Sequence, residues 1–257
     1  TYSDGTLEPE DLVSAAHKLG ITHMALSDHD SVGGLAAAQK RAKELDMTII
    51  PAVEINTKET SSVHILGYFF DPSADALLKR LQYHREVRVT RSKMIIERLQ
   101  KMGIKISVDD FSHKADGAAI GRPHIADKLK EKGVVFSRQE AFEKYLSQGK
   151  SAYVFYEGPS PQDAIEAILG AKGIPSLAHP GYYVSRETIE GLVKLGLQGI
   201  EVYYPSHRKE QVAQYLQMAK ELNLIPTGGS DYHGPGSGHE ALGEINVPEK
   251  TLDNLLD

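Results

Sequence analysis

An α/β fold interrupted by a block of helices is what this sequence predicts, and three observations carry that expectation. Short strand-like runs alternate with amphipathic helices over residues 1–72 and again after residue 160. The stretch between them shows helices and no clear strand. Each strand-like run is bounded by histidine, aspartate or glutamate.

The elements follow in order. "EPEDLVSAAHKLG" places Leu12, Val13, Ala16 and Leu19 on one helical stripe, with Pro9 near its start and Gly20 closing it. "ITHMALS" is a short strand, "GGLAAAQKRAKELD" the next helix and "TIIPAVEI" the next strand. "VHILGYFF" is strand-like and stops at Asp71-Pro72. A long helix is expected from about Ala74 to Gly103, with further helices to about Gly149. After the helix in "GPSPQDAIEAILGAKG" the alternation resumes: "IPSLAHPG", a helix in "RETIEGLVKLG", "GIEVYYP", the helix "HRKEQVAQYLQMAKELN", and "LIPTGGSDYHG". This pattern predicts a parallel sheet, open or closed into a barrel, made of residues 1–72 and 160–257. Residues 73–159 read as a helical insertion that covers the substrate.

The bulk composition narrows the function classes. The chain has 257 residues, 40% of them hydrophobic and 25% charged, enough for one large core or a core with an insertion. No run reaches the roughly 18 apolar residues of a membrane span, and no secretory leader is visible. There is no cysteine, which excludes disulfides and thiolate metal sites and suits a reducing cytoplasm. A formal net charge of −6 argues against a surface coated for nucleic acid but leaves room for a local basic groove. No stable protein partner is expected.

The ionisable residues carry the chemistry. Asp28-His29-Asp30 follows the first strand, and Glu54 ends the second. His64 opens the third run and His179 ends the fourth. Glu201 lies in the fifth, with His207 after it, and Asp231 and His233 follow the sixth. In a parallel α/β barrel the carboxyl ends of strands converge on one face, so residues far apart in sequence can meet there. Imidazole and carboxylate without thiolate suit Zn, Mn or Fe. Adjacent ions clamp the attacking and leaving oxygens of a phosphoryl transfer and lower the pKa of bound water to roughly 7. Taken singly, a histidine at a strand end is more often a structural hydrogen-bond partner, and "SDYHG" alone divides evenly between the two readings. Six such positions together favour metal. His17, His23, His113 and His239 are read as structural or solvated. Asp28 and Asp30 either orient His29 or act as turn and helix-cap acids, the second being the stronger reading.

The stretch "YSDGTLEPEDLVSAAHKLGITHMALSDHDSVGGLAAA", with "PAVEI", "HILGYFFD", "GRPHIA", "LAHPG" and "GGSDYHG", resembles the polymerase-and-histidinol-phosphatase (PHP) family of metal-dependent phosphoesterases. The resemblance covers essentially the whole chain. It implies a distorted (β/α)₇ barrel with two or three divalent ions (Mn, Zn or Fe, with Mg as an option) at the strand ends. Carried over by position, the ligands are Asp4, His29, Glu54, His64, His179, Asp231 and His233, with Glu54 as the bridging carboxylate. Family members usually begin with Asp-x-His-x-His, whose second histidine falls just upstream of Thr1.

The resemblance further implies hydrolysis of nucleotide phosphate esters, either 3′,5′-bisphosphonucleotides or short 5′-phosphorylated oligonucleotides, by a metal-bound hydroxide. His29 and Asp231 then stand closest to the chemistry, and His207 is the candidate to protonate the leaving oxygen. Arg122 and His124 open a helix whose N–H groups favour anions, and Arg122 offers a planar fork for phosphate. Lys150, with Tyr153, sits on a loop returning to the barrel. Arg85, Arg88 and Arg91 share a helix face that can track a nucleic-acid backbone but is more often simply solvated. Three rivals stand beside this reading: a histidinol-phosphate phosphatase, a metal-binding module without catalysis, and a carbon–nitrogen amidohydrolase.

Overall fold

The computed structural model describes residues 2–58, 63–111, 120–181 and 183–256. Six strands form one curled sheet in the order β1 (His23–Leu26), β2 (Thr48–Asn56), β3 (His64–Tyr68), β4 (Ile174–Leu177), β5 (Gly199–Tyr203) and β6 (Ile225–Gly228). Five helices alternate with these strands: α1 (Pro9–Lys18), α2 (Leu35–Glu44), α6 (Pro161–Gly170), α7 (Arg186–Lys194) and α8 (Lys209–Leu222). The α/β class thus holds. The local signals act as their chemistry dictates. Pro9 opens α1, Ser160 and Asp163 cap α6 reciprocally, Ser185 caps α7, and Asn223 ends α8 in the left-handed region. Leu19, placed on the apolar stripe by periodicity, is 57% exposed because α1 stops one residue earlier. The last helix, α9 (Glu249–Leu256), has no counterpart in the sequence reading; Thr251 Oγ1 donates to the Pro226 carbonyl at 3.2 Å and joins it to β6.

The sheet is not wholly parallel. β1 and β2 are parallel, as are β4, β5 and β6, but β3 runs antiparallel to both β2 and β4. The reason is chain length. The link over residues 57–63 falls short of the dozen or so residues that a parallel crossover needs, so the strand must turn back. Reversal places the start of β3 beside the end of β2, with His64 paired to Asn56. His64 therefore reaches the same rim as the carboxyl ends of its neighbours.

Apolar packing among the described residues forms two large clusters and a small third one of Ala52, Leu66, Tyr68 and Ala178. The main core joins Val13, Val53, Ile65, Ile165, Leu177, Ile200 and their neighbours between sheet and helices. A second cluster, including Ile95, Leu99, Ile125, Leu129 and Leu146, lies wholly within residues 95–154. It is built from α4 (Arg122–Glu131), the short α5 (Arg138–Ala141), a π-turn over Phe142–Leu146 and the far half of α3 (Asp75–Lys101). The near half of α3 puts Leu77 and Leu81 into the main core. One continuous helix therefore serves both cores.

Candidate metal centre

Each candidate ligand is fixed by the backbone around it. Asp28, just after β1, accepts from Ser3 Oγ at 2.7 Å and from the Tyr2 N–H at 3.2 Å, which docks the Ser-Asp-Gly turn that carries Asp4. The Thr6 N–H donates to the His233 carbonyl at 2.8 Å, tying that turn to the far edge of the sheet. Glu54 N–H bonds the Asp28 carbonyl, and Asp30 N–H bonds the Glu54 carbonyl, so His29 sits opposite Glu54 in a bridge extending β1 and β2. Asp30 adopts φ 52° and is fully buried. That left-handed geometry is held by Arg85, which donates to its carbonyl at 2.7 Å, and Arg88, which donates to its carboxylate at 2.9 Å. The backbones of Asp28 and Asp30 place His29, but neither carboxylate orients its imidazole. They anchor the turn and α3 respectively.

The seven predicted ligands meet in one cluster. His64 Nδ1 and His179 Nε2 lie 2.6 and 3.0 Å from a single oxygen, Glu54 Oε1. His29 Nδ1 lies 3.6 Å from Glu54 Oε2, and its Nε2 lies 3.9 Å from Asp4 Oδ2. His233 stands 3.4 Å from Asp4 Oδ1 and 3.6 Å from Asp231 Oδ1. Tyr204 donates to Asp231 Oδ2 at 3.0 Å and stacks obliquely near His179, ring centres 5.6 Å apart, which closes the circle.

Electrostatics follow from this crowding. Burial opposes ionisation of Asp4, but the imidazoles of His29 and His233 outweigh it and hold the carboxyl well below its usual value. Glu54 is likewise held down against burial by His29, His179 and His64. Burial also works against the protonated imidazoles, yet Glu54 raises His179 to about 9, and Asp4 raises His233 to about 10. For His64 burial wins and lowers it. Glu201 lies beneath the cluster, accepts from the His179 N–H at 2.7 Å, and is pushed by burial up to about 8.

These residues fit a divalent cation. Buried Asp4 Oδ1 and His29 Nδ1 have no hydrogen-bond partner, a condition that costs about 1–3 kcal/mol per atom and that a cation relieves. Asp4, His29 and His233 bring ligand atoms within 4.8 Å of one another, as do His29, Glu54 and His64. An all-nitrogen-and-oxygen donor set suits Zn, Mn or Fe.

Other expectations fare differently. Arg122 lines a cleft of about 170 Å³ beside Asp4, His29 and His64, with Arg88, Arg91 and Tyr156. His124 is buried, and its Nδ1 accepts from the Gly121 N–H at 2.9 Å, so it caps its own helix and does not line the cleft. Lys150 is exposed on a turn whose N–H bonds the Ser147 carbonyl, outside the cleft. His207 spends both ring nitrogens on backbone: Nδ1 donates to Val202 O at 2.9 Å, and Nε2 accepts from the Gly181 N–H at 3.3 Å. It staples the loop after β4 to the loop after β5, and a proton-donor role has no geometric support.

The arginine face is not solvated either; Arg91 Nε donates to Val154 O at 2.8 Å, and Arg85 and Arg88 hold Asp30. His17 and His23 are exposed, and His113 lies outside the described residues. His239, read as structural or solvated, places Nδ1 3.0 Å from Asp231 Oδ2 and forms a third candidate ligand group with Asp231 and His233. Sequence reasoning missed it because a glycine-rich loop carries no period to place it.

The comparisons agree with this geometry. The model of the PHP domain family matches residues 1–131, about half of the chain. A 5′-3′ exoribonuclease of Haemophilus influenzae is 37% identical over 91% of this chain and 88% of its own. A 3′,5′-nucleoside bisphosphate phosphatase of Chromobacterium violaceum is 35% identical over 94% of this chain and 87% of its own. A solved protein of Bifidobacterium adolescentis, assigned as a metal-dependent phosphoesterase, superposes with a TM-score of 0.91 and is 32% identical, covering 99% of this chain and 92% of that one. With its His, Asp and Glu side chains gathered at the strand ends and its relatives so matched, the chain belongs to the PHP domain family.

Proposed function

We propose that this phosphoesterase hydrolyses a phosphate ester of a nucleotide bearing a second phosphate, as in a 3′,5′-bisphosphonucleotide or the 5′-phosphorylated end of a short oligonucleotide. The observation that supports it is the arginine-lined cleft opening directly onto Asp4, His29 and His64. At about 170 Å³ the cleft is smaller than the roughly 300–1,000 Å³ of a drug-sized ligand pocket, so it has room for a phosphate but not for a whole nucleotide. Relatives named as a 3′,5′-nucleoside bisphosphate phosphatase and a 5′-3′ exoribonuclease act on nucleotide and RNA substrates, which supports the nucleotide class.

Asp4, His29, Glu54, His64, His179, Asp231 and His233 would hold two or three divalent ions. Such ions supply a nucleophilic water of lowered pKa and neutralise charge on the transferring phosphoryl group. Glu54, its two oxygens shared among three imidazoles, would be the carboxylate held in common between ions. Arg122, at the first turn of α4, presents a guanidinium and the helix's N-terminal N–H groups to the distal phosphate. Arg88 and Arg91 keep that cleft positive while their own carbonyl and carboxylate partners hold them still. In this reading residues 1–72 and 160–257 form a distorted (β/α)₇ barrel, and 73–159 a lid, working in the cytoplasm. No helix among the described residues is long and apolar enough to cross a membrane.

The test is a turnover panel with 3′,5′-bisphosphoadenosine, a 5′-phosphorylated dinucleotide and histidinol phosphate, each with Mn, Zn, Fe or Mg. Phosphate or mononucleotide release from the first two is expected. Exclusive turnover of histidinol phosphate would overturn the substrate reading. A protein that binds metal yet cleaves none of them would be a module without catalysis.

A further inference from the structure

The loop after β6 carries His233 and His239, yet it is not anchored by the sheet alone. Its shape is set internally. Ser237, buried at its centre, donates from Oγ to the Gly234 carbonyl at 2.6 Å and accepts from the His239 N–H at 3.0 Å. The His233 N–H bonds the His239 carbonyl at 2.9 Å, which draws both imidazoles to one side with their rings 5.1 Å apart. Gly234, Gly236 and Gly238 all take positive φ, so the turn needs residues without a Cβ.

One side chain from the helical insertion reaches this loop with full hydrogen-bonding geometry. Arg138 Nη1 donates to the Ser237 carbonyl at 2.6 Å. Its Nε and Nη2 fork onto Asp127 at 2.8 and 2.5 Å, and Asp127 belongs to α4, whose first residue is Arg122. A planar guanidinium thus joins α4, α5 and the histidine loop through three bonds that only arginine can make together. On the loop's far side, Asp231 Oδ2 is gripped by Tyr204 and faced by His239, which leaves Oδ1 toward His233.

We propose that Arg138 is a positioning residue: it seats His233 and His239 against Asp231, so that cation affinity at this end of the cluster depends on the insertion. The inference rests on the metal-centre reading above. Its consequence is that a ligand drawing on α4 through Arg122 and a cation held through Asp231 are coupled by a single bracket, each stabilising the arrangement that the other needs.

The full chain and its Arg138→Ala, Arg138→Lys and Asp127→Ala variants would be titrated with Mn²⁺ by calorimetry. Ions bound per chain would be counted after equilibrium dialysis, and thermal midpoints recorded for the metal-free proteins. In Arg138→Ala and Asp127→Ala the weakest-held ion should lose about 10–100-fold in affinity. The tightest-held ion and the metal-free midpoint should stay near wild type, and Arg138→Lys should recover part of the loss through Ser237 alone. Unchanged affinity at every site in Arg138→Ala overturns the inference, as does equal weakening at all sites with a lowered midpoint. A wild-type chain that takes up no divalent ion overturns the metal-centre reading and the inference with it.

Discussion

The two ends of the cluster are built differently. Glu54 lies within β2, is 4% exposed, and is surrounded by imidazoles whose backbones belong to strands or their immediate ends. Asp231 lies past the end of β6 in a loop, adopts φ 51°, and depends on His233 and His239 from that same loop and on Tyr204 from the loop after β5. A sheet fixes side chains through its ladder, whereas a loop fixes them only through the bonds its own side chains make. The Glu54 end should therefore hold a cation rigidly and tightly. The Asp231 end should be adjustable and responsive to what docks above it.

The largest effect that would sharpen this contrast falls behind the rigid end. Asp30→Ala should cost about 3–5 kcal/mol in urea unfolding, because it strands Arg88 as a buried charge and frees the backbone that pairs with Glu54. The pH sign supports the same measurement. Burial opposes ionisation of Asp30, but His84 and Arg88 overcome it and lower its carboxyl. Its contribution is complete above the unfolded value of about 3.9 and is lost as pH falls through the lower folded value.

Next comes Glu54→Gln, which keeps the shape but loses the charge shared by three imidazoles. Turnover should fall more than about 100-fold and should not return with excess cation, since losing a ligand exceeds the 10–100-fold loss of an outer partner. Recovery at high Mn would place the tight site elsewhere. Smaller again is a pH effect on loading. Without a cation, His179 titrates near 9 and His233 near 10, so binding below those values must expel protons. Affinity should weaken by about tenfold per pH unit for each proton displaced as pH falls. Calorimetry in buffers of different ionisation enthalpy would show the release, and a buffer-independent heat would refute it.

The smallest effect is expected at the adjustable end. Tyr204→Phe removes one bond to Asp231 and should lower activity at limiting Mn by about tenfold, restored by excess ion. A loss that excess ion does not restore would erase the distinction between the two ends.

How much of this was legible in the sequence depends on the kind of order involved. The strand ends were legible because hydrophobic runs mark strands and the next polar residue marks the rim; His29, Glu54, His179 and Asp231 follow that logic. The direction of β3 was not foreseen, although residues 57–63 held the clue in their shortness. Its reversal strengthened the placement of His64. Reciprocal caps also misled: His124 looked like an anion binder at a helix start, but its ring nitrogen satisfies the backbone beside it. Tyr204 and the partners of Arg85, Arg88 and Arg91 rest on contacts between segments far apart in the chain, and His239 on an irregular glycine-rich loop, neither of which a local period encodes.

The backward strand decides which pole of the molecule is roofed. Because β3 enters the sheet at the rim and leaves at the opposite pole, Asp71 emerges there beside Ala171. The 27 residues of α3, a rod of about 40 Å, then climb past Asp30 to deliver the second apolar cluster beside Asp4, His29 and His64. A forward β3 would have sent that rod downward and left the cluster of His, Asp and Glu side chains under open water.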